Sequence, residues 1–155
     1  MQTITSCLWF DNQAEDAALF YTSIIKNSKM GTISRYGETG PMSAGTVLTV
    51  TFQLDGQEFM ALNGGPHYKL SPAYSIVIHC ETQDEIDHHW DRLAEGGQIQ
   101  QCGWLVDRFG LSWQVVPARL GEWISDPGKG NAVMARVLQM KKLDIAPLQK
   151  AYDEA

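Results

Sequence analysis

The sequence predicts an α+β protein made of two βαβββ units followed by a helical tail. Two observations carry that expectation. A strand-to-helix unit occurs in both halves of the chain with its residue roles repeated, and each occurrence is followed by three short strand-like stretches bounded by glycine-rich turns.

The first unit begins with "TITSCLWF", a strand. "DNQAEDAALFYTSII" follows as a helix, with Asn12 and Glu15 at capping-box spacing and Ala14, Ala17, Ala18, Phe20, Tyr21 and Ile24 as its apolar face. "MGTISRY" reads as a strand, "GETGPMSAG" as a loop, and "TVLTVTFQLDGQEFMALNGG" as a hairpin turning at Asp55-Gly56. The second unit opens with the strand "YSIVIHC". Its helix "ETQDEIDHHWDRLAEGG" has Thr82 and Glu85 at capping spacing and stops at Gly96-Gly97. Asp11, Asn12, Glu15 and Phe20 find counterparts in Glu81, Thr82, Glu85 and Trp90. "QIQQC", "GWLVD" and "LSWQVVP" supply the remaining strands, with "RFG" closing the last hairpin. Pro117 and "GEWISDPGKG" end the sheet. "NAVMARVLQM" and "DIAPLQKAYDEA" then read as two short helices capped by Asn131 and Asp144, a tail expected to act as a lid or a dimer contact. The expected layout is one domain over 1-155, with modules at 1-66 and 72-118 and the tail at 119-155.

Composition narrows the function. Hydrophobic residues make up 44% and charged residues 19%, enough apolar surface for a packed core. A net charge of -6 with scattered basic residues argues against a nucleic-acid partner. Cys7, Cys80 and Cys102 form no CxxC pair and suit reduced thiols. No apolar run reaches the ~20 residues of a membrane span, and no leader-like segment precedes the first strand, so a cytoplasmic protein without a membrane partner is expected.

The stretches "LWFDNQAEDAALFY", "FMALNGGPHYKLSPAYSIVIHCETQDEID", "HWDRLAEGG", "CGWLVDRFGLSWQVVP" and "RVLQMKKLDIAPLQKA" resemble the PhnB-like branch of the vicinal oxygen chelate superfamily, which includes glyoxalase I, bleomycin resistance proteins and extradiol dioxygenases. The resemblance runs from about Ile4 to Ala151. It implies mixed sheets curled around a cavity, with any metal held by side chains from the first and last strands of each unit. It also implies modules that pair within one chain or across a homodimer. Members of this branch are often labelled as similar to a demethylubiquinone 3-methyltransferase. No glycine-rich loop here follows a strand and opens a helix, as a nucleotide-like cofactor site of the usual kind would require, and "LNGGP" runs into a loop.

Strand alternation in that fold then points side chains inward. Thr3, Thr5, Cys7 and Trp9 face the cavity while Ile4, Ser6 and Leu8 face the helix. Ser75, Val77 and His79 face inward from the second unit's first strand, as do Phe59, Ala61 and Asn63, and Ser112, Gln114 and Val116, from the last strands. The implied metal positions fall at Thr5, Ser75, Gln114 and either Ala61 or Asn63. These are neutral, weak donors, so no metal and no cofactor are expected. Thr5, Cys7, Trp9, Asn63, Ser75, His79 and Gln114 are the candidate ligand contacts. Trp104, Phe109 and Tyr36 are further pocket candidates, and Trp113, out of phase with Gln114, is expected under a helix or at a dimer interface. His67 is expected in a connecting loop, His88-His89 on a solvated helix face, and Asp107-Arg108 as a local ion pair in a hairpin. The expected function is a homodimer that binds a small, partly apolar molecule. The alternatives are a metal-independent or lyase- or dioxygenase-like enzyme, with His79 or Cys7 as reacting group, and a dimeric scaffold without ligand.

Overall fold

The computed structural model describes residues 2–155, which form two compact units divided between Leu70 and Ser71. The first contains β1 (Ser6–Phe10), α1 (Ala14–Ile24), β2 (Lys29–Arg35), β3 (Val47–Leu54) and β4 (Gln57–Asn63). The second contains β5 (Ser75–Cys80), α2 (Gln83–Leu93), β6 (Gln98–Ile99), β7 (Trp104–Val106) and β8 (Ser112–Pro117), and then α3 (Leu120–Ser125), α4 (Gly130–Val137) and α5 (Ile145–Glu154). The sheets have the same order, β1-β4-β3-β2 and β5-β8-β7-β6. In each, the first strand pairs parallel with the last and the other pairs are antiparallel. The repeat of roles in the sequence is therefore a repeat of topology.

A parallel pair needs a long crossover, and α1 and α2 supply its helical part. Ala14, Ala17 and Ala18 are fully buried on α1, and their small side chains let the helix settle close to β3 and β4. Tyr21 reaches Phe52, which stacks on Phe59 with ring centroids 5.6 Å apart. On α2, Ile86, Trp90 and Leu93 form a buried stripe at helical spacing, matched by buried Leu105, Trp113 and Val115 in the second sheet. Trp113 is thus buried as expected. The Asp55-Gly56 turn has positive φ at both residues, 48° and 78°, which a type I′ hairpin requires.

The two helix starts differ. Thr82 caps α2 as expected, accepting from the Glu85 N–H at 3.2 Å, and the Glu85 carboxylate accepts from the Glu81 N–H. The Asn12–Glu15 box does not form on α1. Gln13 is the N-cap and gives no side-chain bond, and the buried Ala14 N–H donates instead to Asn63 Oδ1 at 2.8 Å.

The tail is a built part of the second unit. Trp123, Val133, Val137, Leu143 and Leu148 form a small core together with Val116. The backbone N–H groups of Cys102 and Gly103, both at positive φ, donate to the carbonyls of Met140 and Lys141. Gln83 bridges α2 to the tail, donating to Leu143 O and accepting from the Ile145 N–H. Helix α3 was not anticipated, because the glycines and proline of "GEWISDPGKG" read as a loop. Its Trp123 is anchored by packing, which overrides local propensity in so short a helix. Asn131 lies inside α4, whose N-cap is Lys129, and Asp144 is the N-cap of α5 without a side-chain bond. Among the described residues no helix is long and apolar enough to cross a membrane.

Candidate functional site

Each sheet has one face packed on its helix and one turned away, here called the far face. In the first unit, Leu8, Phe10, Val50, Phe52, Phe59, Ala61 and Asn63 are buried on the helix side. The register pairs Cys7 with Met60 and Trp9 with Leu62, so these residues and Glu58 form the far face. Thr5, Cys7 and Trp9 keep their expected side. Thr5 lies just ahead of β1, and Ile4, expected against the helix, is 84% exposed.

The β4 parity is corrected. Phe59, Ala61 and Asn63 do not face away from α1. Counting outward from the Asp55-Gly56 turn pairs Leu54 with Gln57, Gln53 with Glu58 and Phe52 with Phe59, which sends Phe59 into the core. Asn63 is 7% exposed, and both ends of its amide are committed: Oδ1 to the Ala14 N–H and Nδ2 to the Val47 carbonyl at 3.1 Å. Its own carbonyl accepts from the Tyr36 hydroxyl at 2.6 Å. It is a structural clamp that ties the start of α1 to β3 and β4.

In the second unit Ser75, Val77 and His79 share the far face with Ser112 and Gln114, and Trp104 pairs with Gln114. Val77 is 39% exposed and His79 is exposed. Gln114 Nε2 donates to Ser75 Oγ at 3.0 Å. Val116, expected to face a cavity, is buried in the core made by the tail helices. The duplicated register places Val77 opposite Gln114 where Cys7 stands opposite Met60, so the counterpart of Gln114 in the first unit is Met60, not Ala61 or Asn63.

That correction bears on metal binding. The implied positions hold the hydroxyls of Thr5 and Ser75, the amide of Gln114 and the thioether of Met60. None carries the charge or basicity of the imidazoles and carboxylates that hold divalent zinc, nickel or iron, and the donor set does not fit such an ion. Among the described residues no group of three or more His, Cys, Asp and Glu side chains could hold a metal.

The reactive candidates are poorly equipped. Cys7 is exposed, and partial desolvation raises its thiol above its ordinary range, which depletes the nucleophilic thiolate. His79 makes no side-chain hydrogen bond among the described residues, so nothing orients its ring as a general base. Trp9 donates from Nε1 to the Gly65 carbonyl at 2.9 Å and meets Tyr68 edge-on at 5.1 Å. A methyl group on Gly64 would collide with its ring, so that glycine is required by close approach. His67 is exposed in a loop. His88 is exposed, whereas His89 is half-buried with Nδ1 2.7 Å from Glu85 O and 3.8 Å from Cys80 Sγ. Asp107 holds its hairpin by hydrogen bonds. At 3% exposure its carboxylate accepts from the Phe109 and Leu111 N–H groups and from Trp113 Nε1, fixing the β7–β8 turn.

Two recesses flank the first sheet. One, of about 480 Å³, lies at the start of α1 and includes Asp11, Glu15, Arg35, Tyr36 and Met42. The other, of about 440 Å³, lies on the far face over Thr5, Lys29, Thr51, Gln53, Glu58 and Met60. Lys29 and Glu58 were not anticipated. The Asp55-Gly56 turn carried the signal for Glu58, because it sets the β3–β4 register.

Residues 2–116 match the family described as 3-demethylubiquinone-9 3-methyltransferase. A PhnB protein from Bacillus cereus with the provisional name 3-demethylubiquinone-9 3-methyltransferase is 41% identical, across 74% of this chain and 99% of its own, with a TM-score of 0.68. The chain belongs to the PhnB-like branch of the vicinal oxygen chelate superfamily. Two more distant structures share the fold of this PhnB-like protein. Protein PA1353 from Pseudomonas aeruginosa is 20% identical over 76% of this chain and 98% of its own, with a TM-score of 0.62. The fosfomycin resistance protein FosX from Listeria monocytogenes is 15% identical over 78% and 94%, with a TM-score of 0.53. No curated protein matches the chain. The family match ends at residue 116, so α3, α4 and α5 of this PhnB-like protein lie beyond it.

Proposed function

We propose that this PhnB-like protein is a metal-free homodimer that holds a small, partly apolar molecule on the far faces of its sheets. The observation that carries the reading is the Gln114–Ser75 hydrogen bond. It occupies two of the positions where metal-binding relatives place charged or imidazole ligands, and it leaves a carbonyl oxygen and one N–H of the amide free to orient a neutral polar group. Val77 and Trp104, both paired with Gln114, add apolar surface beside these polar groups, the mixture typical of small-molecule sites. Methyl transfer finds no support in the loop after β4, because Gly64 and Gly65 lead into irregular chain and not into a helix. The homodimer rests on the superfamily resemblance.

Native mass spectrometry of protein purified without denaturant tests all three parts together. The expected result is a dimer free of divalent metal that retains an organic mass. One stoichiometric divalent metal per chain would overturn the reading. Where a retained molecule is found, Gln114→Ala is expected to weaken its binding about tenfold, one polar contact's worth, with the fold unchanged.

A further inference from the structure

From the far face of the first unit we infer a second binding site, which takes a zwitterion about as long as a dipeptide, with its anionic end at Lys29 and its cationic end at Glu58. It goes beyond the proposed binding function, which is carried by Gln114 and Ser75 of the second unit. The register pairs Lys29 with Gln53 and Gln53 with Glu58, so the three side chains form one row across β2, β3 and β4. Opposite charges stand at the two ends of that row with a neutral amide between them. Two inter-strand steps of about 4.8 Å place the backbones of Lys29 and Glu58 ~10 Å apart. Neither side chain makes a hydrogen bond or ion pair among the described residues, and both line the 440 Å³ recess. Gln53 lies between the charges, and Thr51 and Met60, paired in the next row of the same face, line one side.

The spacing selects the ligand. An α-amino acid carries both charges on one carbon and meets both ends of the row only where Lys29 and Glu58 lean toward each other. A molecule whose charges stand ~7 Å apart, the reach of two extended residues, meets both side chains as they stand extended from the sheet, with its stem across Gln53. Each ion pair is partly solvent-exposed and therefore weak and salt-sensitive, so the two together are expected to favour the zwitterion about tenfold over an analogue with a single charge.

The test is titration calorimetry of the full chain at low salt with ε-aminocaproate, caproate and hexylamine. The expected result is binding of ε-aminocaproate at least tenfold tighter than either single-charge analogue, with that preference lost in both Lys29→Gln and Glu58→Gln. Circular dichroism and unfolding midpoints establish that both variants fold. Equal affinity for the three probes, no binding of any, or a preference that survives both substitutions would overturn the inference. An organic mass retained in the native spectrum keeps the binding function even if the zwitterion fails. Stoichiometric metal in that spectrum sinks the binding function whatever the calorimetry shows.

Discussion

Replacing Asn63 with alanine should destabilise the first unit far more than the same change at Asn12, although Asn12 is the residue that sequence spacing nominates as the cap of α1. Asn63→Ala removes the acceptor for the Ala14 N–H and the donor to the Val47 carbonyl, both buried or half-buried bonds. Loss of a helix cap costs about 1 kcal/mol, and leaving a buried backbone group unsatisfied costs roughly 1–3 kcal/mol. Because Asn63 is almost fully buried, water cannot freely replace either partner, and a total of about 2–3 kcal/mol is expected. Asn12 makes no side-chain cap bond at α1, so Asn12→Ala should stay within about 0.5 kcal/mol. Asn63→Asp should fall between, since a carboxylate accepts from Ala14 at a helix N-terminus but cannot donate to Val47. Urea unfolding of the three variants, with unchanged m-values, measures these differences. An Asn12→Ala cost equal to that of Asn63→Ala would refute the long-range cap.

Other expectations follow from the same geometry. Burial, with the nearby Glu85 charge second, pushes the Cys80 thiol up to about 12, so the folded state keeps its proton where an unfolded thiol near 9 would lose it. That contribution to stability is complete below pH ~9 and declines between there and 12 at up to about 1.4 kcal/mol per pH unit, and wild type should lose more stability than Cys80→Ala over that range. Gly64→Ala drives a methyl group into the Trp9 ring and should cost about 1–3 kcal/mol, with a shift in tryptophan emission that Gly37→Ala, at an open position, does not produce. Leu148→Ala opens a cavity in the tail core and should cost about 2–5 kcal/mol in thermal or urea unfolding, and a neutral result would mean that the tail core does not support the second unit.

The fold was legible where local signals agreed. Asp55-Gly56 announced its hairpin, the Thr82–Glu85 box announced α2, and alternation placed Cys7, Val77 and Gln114 on the side the structure gives them. It was less legible where a distant partner decides. Asn63 has no sequence neighbour that reveals its bond to Ala14, forty-nine residues away, and its short polar side chain in a strand resembles a surface residue. Val116 alternates with Gln114 and would face a cavity if the tail did not bury it. The length of α3 depends on a place for Trp123 to pack. The facing of each strand was read from its own alternation, and the β4 error shows that parity must be anchored to a turn before it is extended along a strand.

The division of the chain at Leu70 also sets an order of events during synthesis. Every strand partner of β1 to β4, and the cap of α1, lies before Ser71, so the first sheet can close while the second unit is still being made. The second sheet has its last strand at Pro117, but Val116 stays uncovered until Leu143 and Leu148 have emerged. A nascent chain paused between these points displays a finished first half beside an apolar strand awaiting its cover, and that interval is where a chaperone that grips exposed hydrophobic chain has most to protect.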